Sequence, residues 1–116
     1  TALSIKENNS VMFKNFDNSV LGIWAAHGEG KFKFDEDEKN YNIVGKYHNN
    51  NFPGNPNGSE YDAAIISSKD GRHTAMMPHL ERSTHPWNWG YYPHQKKAHK
   101  YSPWIFAFYN AYQWVK

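Results

Sequence analysis

Cysteine is absent from this sequence of 116 residues. Its absence excludes disulfide bridges, cysteine-ligated metal sites and a thiol nucleophile supplied by the chain itself. Leucine is also scarce, with three residues, whereas aromatic side chains make up 17%. We therefore expect a core built largely from rings, in a chain whose length suits one domain or part of one.

Long apolar runs and a strong charge bias are also missing. No stretch of about 20 apolar residues occurs, so no membrane span is predicted, and no basic-then-apolar leader is found. The net charge of +2 neither favours nor excludes nucleic acid, and the basic stretch HQKKAHK (94–100) is too short to predict it. Because strand-like sequence begins at Thr1, we expect a piece of a longer protein.

Alternation of apolar and polar residues predicts that β-strands dominate. AAIISS (63–68) and HTAMMPH (73–79) form a predicted hairpin around KDGR (69–72), since Asp-Gly supplies the positive φ of a tight turn. DEDEK (35–39) and the Asn-, Pro- and Gly-rich stretch 48–62 are predicted loops. Other predicted strands or strand arms are ALSIK (2–6), SVMFKNF (10–16), both arms of SVLGIWAAHGEGKFKF (19–34) and NYNIVGKYH (40–48).

The C-terminal stretch SPWIFAFYNAYQWVK (102–116) changes to a helical period. Ser102 is a predicted N-cap and Pro103 the first helical residue. The residues predicted to share one helical face are Ile105, Phe108, Tyr109 and Tyr112.

His79 and Glu81 are the first candidates for chemistry. Residues two apart in extended backbone project to the same side. A carboxylate that accepts from one imidazole nitrogen fixes the tautomer and raises the basicity of the other nitrogen, as in a catalytic triad. Spacing alone favours the simpler alternative, a structural histidine with Glu81 paired to Arg82 or a lysine.

Other segments also leave two interpretations open. AHGEG (26–30) is either a ligand-contact loop, where glycines allow close approach of backbone, or a simple turn. HPWNWGYYP (85–93) is either a stacking platform for a base or sugar or a loop held to the core by its rings. The seven histidines show no His-x-His or His-x-x-x-His pair, so no metal site is predicted.

The order of five segments resembles one enzyme family, the glutaminase domain of phosphoribosylformylglycinamidine synthase, which is a class I (triad) glutamine amidotransferase. The resemblance covers nearly all of residues 11–116. The segments that carry it are AHGEGKF, FPGNPNGS, SKDGRHTAMMPHLERS, PWNW and SPWIFAFYNAYQW.

The resemblance implies a Cys-His-Glu triad that hydrolyses glutamine and sends ammonia to a synthetase site. The family's histidine and glutamate fall on His79 and Glu81, and its nucleophilic cysteine lies upstream of the matching region. The family usually has proline between the two, where this chain has Leu80. The glutamine pocket is implied at His27, Gly28 and Glu29, with Asn55 and Asn57 in a pocket-rim or structural role.

The implied fold is α/β, the C-terminal portion of a flavodoxin-like open sheet of the class I glutamine amidotransferase type. We expect residues 1–116 to be a partial glutaminase domain, β-rich by itself with one C-terminal helix and exposed apolar edges that favour self-association. The upstream half of the domain and the synthetase domain are the implied partners. No cofactor is expected in this part, and ATP and Mg²⁺ are expected in the absent synthetase domain.

We therefore predict that the chain alone is inactive, in a cytoplasmic parent enzyme. One alternative is a non-catalytic carbohydrate- or nucleotide-binding module, in which four rings would be exposed and coplanar rather than mostly buried. Those rings are Trp87, Trp89, Tyr91 and Tyr92. Another alternative is a structural remnant without catalysis, which differs only in having no cysteine-bearing segment upstream.

Overall fold

The protein is described by a computed structural model, which covers residues 1–96 and 98–116. Lys97, one lysine of the predicted basic stretch, lies outside these residues. Five antiparallel strands form one open sheet in the order β2-β1-β3-β4-β5. The strands are β1 (Ala2–Ile5), β2 (Val20–Gly22), β3 (Asn42–Tyr47), β4 (Ala63–Ser67) and β5 (Thr74–Met76), and a single α-helix, α1 (Ile105–Val115), follows.

Short 3₁₀ turns connect these elements at Glu38–Asn40, Glu60–Asp62, Leu80–Arg82, Pro86–Asn88 and His94–Lys96. The prediction of a β-rich chain with one C-terminal helix is confirmed. Among the residues described, no helix is long and apolar enough to cross a membrane.

The core combines aliphatic side chains from the sheet with rings from the loops. Leu3, Ile5, Val44 and Ile65 are buried on the central strands. A ring cluster of Phe13, Phe16 and Trp104 packs against them, with Phe16 and Trp104 stacked at 6.0 Å between centroids. The expected ring-built core is therefore found at the helix end of the sheet, while the sheet itself contributes branched aliphatics, which suit a pleated surface.

The hairpin β4–β5 forms as the sequence predicts. Gly71 has φ +73°, and a Cβ there would lie 2.0 Å from the carbonyl oxygen of Asn9. Only glycine fits this turn, because the position combines positive φ with close backbone approach. The hairpin matters for the candidate site because β5 leads directly into the His79 segment.

Two predicted strand segments are wrong. Residues 11–15 form a bend and turns, in which Asn15 adopts a positive φ of 68° and the N–H of Phe16 donates to the carbonyl of Phe13 at 3.1 Å. The arm at 31–34 joins no strand, although Phe32 and Phe34 alternate in exposure with their neighbours. Its backbone bonds instead to the 59–60 loop, where the N–H of Glu60 donates to the carbonyl of Phe32 at 3.1 Å.

Helix α1 starts later than the sequence predicts and turns a different face to the sheet. Ser102 donates its hydroxyl to the carbonyl of Ser83 instead of capping the helix. Trp104 and Ala107 face the core, whereas Tyr109 and Tyr112 are 54% and 58% exposed. The predicted apolar face is thus present in the sequence, but it faces away from the core. This agrees with the expectation of exposed apolar surface.

Candidate functional site

The imidazole of His79 and the carboxylate of Glu81 are joined by a hydrogen bond. Nδ1 of His79 lies 2.7 Å from Oε1 of Glu81. The two side chains are 39% and 57% exposed, so the pair lies at the surface. Within residues 1–96 and 98–116, no hydrogen bond engages Nε2 of His79. The carboxylate therefore orients a ring whose second nitrogen remains available to an incoming group.

The backbone around this pair is anchored by its alternate residues. Pro78 is fully buried, and Leu80 is buried in the hydrophobic core. His79 itself is extended, with φ −100° and ψ 98°, and precedes the 3₁₀ turn Leu80–Arg82. Because Pro78 and Leu80 point inward, His79 and Glu81 are presented outward. Leucine at position 80 fixes the segment through burial, where proline would do so through its ring.

The pKa of Glu81 is lowered. Partial desolvation opposes ionisation, but hydrogen bonds from its own backbone N–H and from His79 outweigh it, together with the nearby charges of His79 and Arg82. A carboxylate held in its ionised form stabilises an imidazolium beside it. The segment thus holds an ionised carboxylate directly against the imidazole of His79.

HGEG (27–30) forms a turn in which the N–H of Gly30 donates to the carbonyl of His27 at 3.0 Å. Gly28 has φ +56°, a conformation that glycine adopts without strain. Gly28 and Glu29 are exposed at the tip. The turn therefore displays the backbone of Gly28 and the carboxylate of Glu29 to solvent, while His27 faces the protein.

His27 is held between two side chains. The amide nitrogen of Asn57 donates to the carbonyls of Gly28 and Gly30, the latter at 2.9 Å, which fixes the orientation of the amide. The same nitrogen lies 3.1 Å from Nδ1 of His27. On the other side of the ring, Nε2 lies 3.1 Å from the hydroxyl of Tyr47. These contacts give His27 a structural role in holding the turn.

Asn55 closes the neighbouring loop. It is buried, and its Oδ1 accepts from the N–H of Ser59 at 3.0 Å. Its Nδ2 donates to the carbonyl of Ser59 and to Asp62, each at 3.0 Å. Every polar atom of the Asn55 amide is therefore engaged inside the chain, which gives the residue a structural part. We call the His27–Gly30 turn, the Asn55–Ser59 loop and Tyr47 the turn cluster.

Met77 connects the turn cluster to the His79 segment. Its N–H donates to the carbonyl of Ala64 at 3.0 Å, which extends the hairpin by one bond. A Cβ placed on Gly30 would lie 3.4 Å from the sulfur of Met77. Two motifs separated by nearly fifty residues in sequence therefore meet beside the C-terminal end of β5.

Sequence reasoning missed Tyr47 as part of this site. Its ring is buried on β3, and burial raises the pKa of its hydroxyl to about 12. The alternating pattern of β3 identified a strand but gave no signal that the hydroxyl reaches His27, because the contact spans separate segments. Among the residues described, no cluster of three or more acidic or histidine side chains could hold a metal ion.

The aromatic segment 85–93 divides into two pairs. Trp87 and Tyr91 are each 79% exposed, whereas Tyr92 is 8% exposed and Trp89 packs against the core. The rings of Trp89 and Tyr92 meet edge to face, with 83° between their planes. Neither sequence-based alternative fits fully, because the four rings are neither mostly buried nor a coplanar platform.

Comparison with known proteins places this geometry in a family. The family model for the CobB/CobQ-like glutamine amidotransferase domain matches residues 1–115. The chain is 37% identical over 138 residues to a probable phosphoribosylformylglycinamidine synthase of Caenorhabditis elegans, covering 97% of this chain and 10% of that protein. It is 38% identical over 135 residues to a probable chloroplastic/mitochondrial phosphoribosylformylglycinamidine synthase of Arabidopsis thaliana, covering 100% and 9%.

The human phosphoribosylformylglycinamidine synthase is 37% identical over 118 residues, which cover 91% of this chain and 9% of that enzyme. The chain thus spans about a tenth of the length of these relatives. The solved structure of PurLQS from Thermotoga maritima shares the fold, with a TM-score of 0.70 at 22% identity over 99% of this chain and 46% of that one. The resemblance and fold class predicted from the motifs are confirmed. This chain belongs to the family of CobB/CobQ-like glutamine amidotransferase domains.

Proposed function

We propose that this chain is part of the glutaminase of a phosphoribosylformylglycinamidine synthase. His79 is the general base and acid, Glu81 orients it, and the nucleophilic cysteine comes from a segment outside these 116 residues. The observation that supports the proposal best is the 2.7 Å bond between Nδ1 of His79 and Glu81. That bond leaves Nε2 as the nitrogen that exchanges protons.

The proposed chemistry passes one proton through Nε2 of His79. The imidazole takes the proton of the cysteine thiol, and the thiolate attacks the side-chain amide carbon of glutamine. As the carbon–nitrogen bond breaks, the imidazolium gives that proton to the leaving nitrogen, so ammonia and a glutamyl thioester form. His79 next removes a proton from water, which cleaves the thioester to glutamate, and the proton returns to the thiolate. Glu81 stabilises the imidazolium in both halves.

The turn cluster has a positioning role in this proposal. The exposed backbone of Gly28 and the carboxylate of Glu29 face bound glutamine, with His27 beside them. Asn57 holds the turn in shape through its bonds to Gly28 and Gly30, and Asn55 keeps the adjoining loop closed. The support for this role is that the turn packs beside Met77, two residues before His79.

In the parent enzyme, the ammonia would serve an ATP-dependent amidination of formylglycinamide ribonucleotide at a synthetase site that binds ATP and Mg²⁺. We propose that the partners of this chain are the upstream half of its own domain and that synthetase. The outward aromatic face of α1 suits the first of these, since the chain corresponds to only 46% of the PurLQS chain. We propose a cytoplasmic location, although the Arabidopsis relative is named chloroplastic/mitochondrial.

The test compares glutamine-dependent and ammonia-dependent turnover in the complete enzyme that contains this chain. We expect His79→Ala to lower glutamine-dependent kcat by at least about 10³-fold, and Glu81→Gln to lower it by about 10²–10⁴-fold. Ammonia-dependent turnover should stay unchanged, because the synthetase site does not use the triad. His73→Ala, an exposed histidine in the same hairpin, is the matched control.

Retention of glutamine-dependent turnover by His79→Ala would refute the assignment. An equal loss of both activities would instead indicate a folding defect. The isolated chain is expected to release no ammonia from glutamine at any concentration, because it contains no cysteine.

A further inference from the structure

A second cleft lies on the segment that follows the His79 turn, and the glutaminase chemistry does not use it. Its volume is about 670 Å³, within the range of small-molecule sites. The residues that give it chemical character are Trp87, Tyr91, His94, His99 and Lys100. The exposed rings of segment 85–93 and residues of the basic stretch 94–100 therefore line the same cleft.

The rings of the cleft are supported from behind. One face of the Trp87 indole stacks on His85, with centroids 5.5 Å apart and 29° between planes. Trp89 and Tyr92 meet edge to face at 5.0 Å, and the hydroxyl of Tyr92 lies 3.3 Å from Nδ1 of His99. Trp87 nevertheless remains 79% exposed. It is a ring with one face already occupied and the other open, the arrangement that favours stacking of a flat ligand.

The charge of the cleft is of one sign. Lys100 lines it, with its ammonium 5.3 Å from the centroid of the Tyr101 ring. His94 and His99 add imidazole groups, and none of the described residues that line the cleft is acidic. An ammonium with no carboxylate beside it favours an anion over a neutral ligand, because charge-assisted hydrogen bonds are stronger than neutral ones.

We propose that this cleft binds a nucleoside phosphate. The base stacks on the open face of Trp87, with Tyr91 as a second exposed ring, and the phosphates interact with Lys100 and the imidazoles of His94 and His99. Stacking supplies affinity without strict base selectivity, since every base has a π-face. The site is separate from the proposed glutaminase residues and does not depend on their role.

Calorimetric titration of the protein with ADP, adenosine and inorganic pyrophosphate tests this proposal. ADP should bind more tightly than either half-ligand. Trp87→Ala should weaken ADP binding by about 5- to 150-fold, the loss expected for one stacked base. Lys100→Gln should weaken ADP and pyrophosphate binding severalfold and flatten their salt dependence, while adenosine binding stays the same.

Two matched variants control for non-specific effects. Trp114→Ala removes an exposed indole on α1, and Lys39→Gln removes a surface ammonium near Asp37. Neither should change ADP binding. The proposal is overturned if ADP gives no binding heat at millimolar concentration, if adenosine binds as tightly as ADP, or if the control variants lose as much affinity. His79→Ala should bind ADP normally, so this result and the glutaminase test can fail independently.

Discussion

The turn cluster and helix α1 differ in how many of their side chains have bonding or packing partners within the chain. In the turn cluster, Asn55, Asn57 and Tyr47 each bond to a named partner in a separate segment or turn. On α1, the first turn, Asn110 and Trp114 contact the rest of the chain. Asn110 donates to the carbonyls of Met12 and Lys14 at 3.0 and 2.8 Å, and the guanidinium of Arg72 lies 5.2 Å from the centroid of the Trp114 ring. The other large side chains of α1 beyond its first turn are largely exposed.

This difference distinguishes a region that the chain stabilises by its own contacts from a surface that another polypeptide could cover. Hydrogen bonds across the turn cluster fix its backbone, because buried amides left without partners are costly. The large side chains of α1 that remain exposed contribute less to the stability of this chain alone than buried ones would. They are Phe106, Phe108, Tyr109, Tyr112, Trp114 and Val115. An apolar surface of this extent is typical of an interface.

The largest expected effect concerns the point where α1 joins the sheet. Trp104 is fully buried, stacks on Phe16, and donates its indole N–H to the carbonyl of Gly22 at 2.8 Å. Trp104→Ala should lower the free energy of unfolding by about 3–5 kcal/mol, because it leaves a cavity and an unpaired carbonyl. Urea denaturation measures this loss. Trp114→Ala, at a half-exposed ring of the same helix that contacts Arg72, should change it by about 1 kcal/mol or less.

Equal losses for these two variants would contradict the comparison, since they would mean that the outer face of α1 is as well packed as its first turn. A large loss for Trp104→Ala alone would show that the start of the helix stabilises the fold more than its exposed end does.

Part of this difference could be predicted from the sequence. The rest could not, because it depends on contacts between distant segments. The β4–β5 hairpin follows from Asp70-Gly71, whose turn chemistry is local. The helix also follows from a local period, but its orientation does not. Trp104 occupies the core, and the predicted apolar face with Tyr109 and Tyr112 lies outward. The composition of residues 10–16 predicts a strand, but the chain turns there and Asn15 adopts a positive φ.

The same holds for the candidate site. The His79–Glu81 bond joins residues two apart, so spacing could suggest it. The contact between Tyr47 and His27 joins different elements, and no local pattern encodes it. The cleft at Trp87 was visible as an aromatic segment and a basic segment, but only the fold shows that they share one cavity.

A smaller effect is expected in alkaline solution from the turn cluster. Burial raises the pKa of Tyr47 to about 12 from its ordinary 10. The unfolded chain therefore releases this proton first as the pH rises. The contribution of Tyr47 is fully present below pH 10 and is lost between about pH 10 and 12, at about 1.4 kcal/mol per pH unit. Unfolding by urea at pH 8, 10 and 11 measures the loss.

Tyr47→Phe should be less stable than the wild type at pH 8, because Nε2 of His27 loses its hydrogen-bond partner, but the difference should shrink as the pH rises above 10. Tyr91→Phe, at an exposed ring, should keep the wild-type pH dependence. A constant difference between Tyr47→Phe and the wild type across this range would argue against a buried hydroxyl in the turn cluster.

The smallest effect on the free energy of unfolding is expected for substitutions on the outer face of α1. For these, self-association of the chain is the more informative measurement. Tyr109→Ser and Tyr112→Ser remove rings that are more than half exposed, and serine and tyrosine have similar helix propensities. Each should change the free energy of unfolding by about 0.5 kcal/mol or less.

If this face is unpaired interface, sedimentation velocity of the isolated chain should show self-association that the double variant reduces. Gln113→Ser, a polar exposed position on the same helix, should leave it unchanged. A large loss of stability with no change in association would mean that α1 is packed within this chain after all, because rings that stabilise the folded monomer cannot also be its free surface.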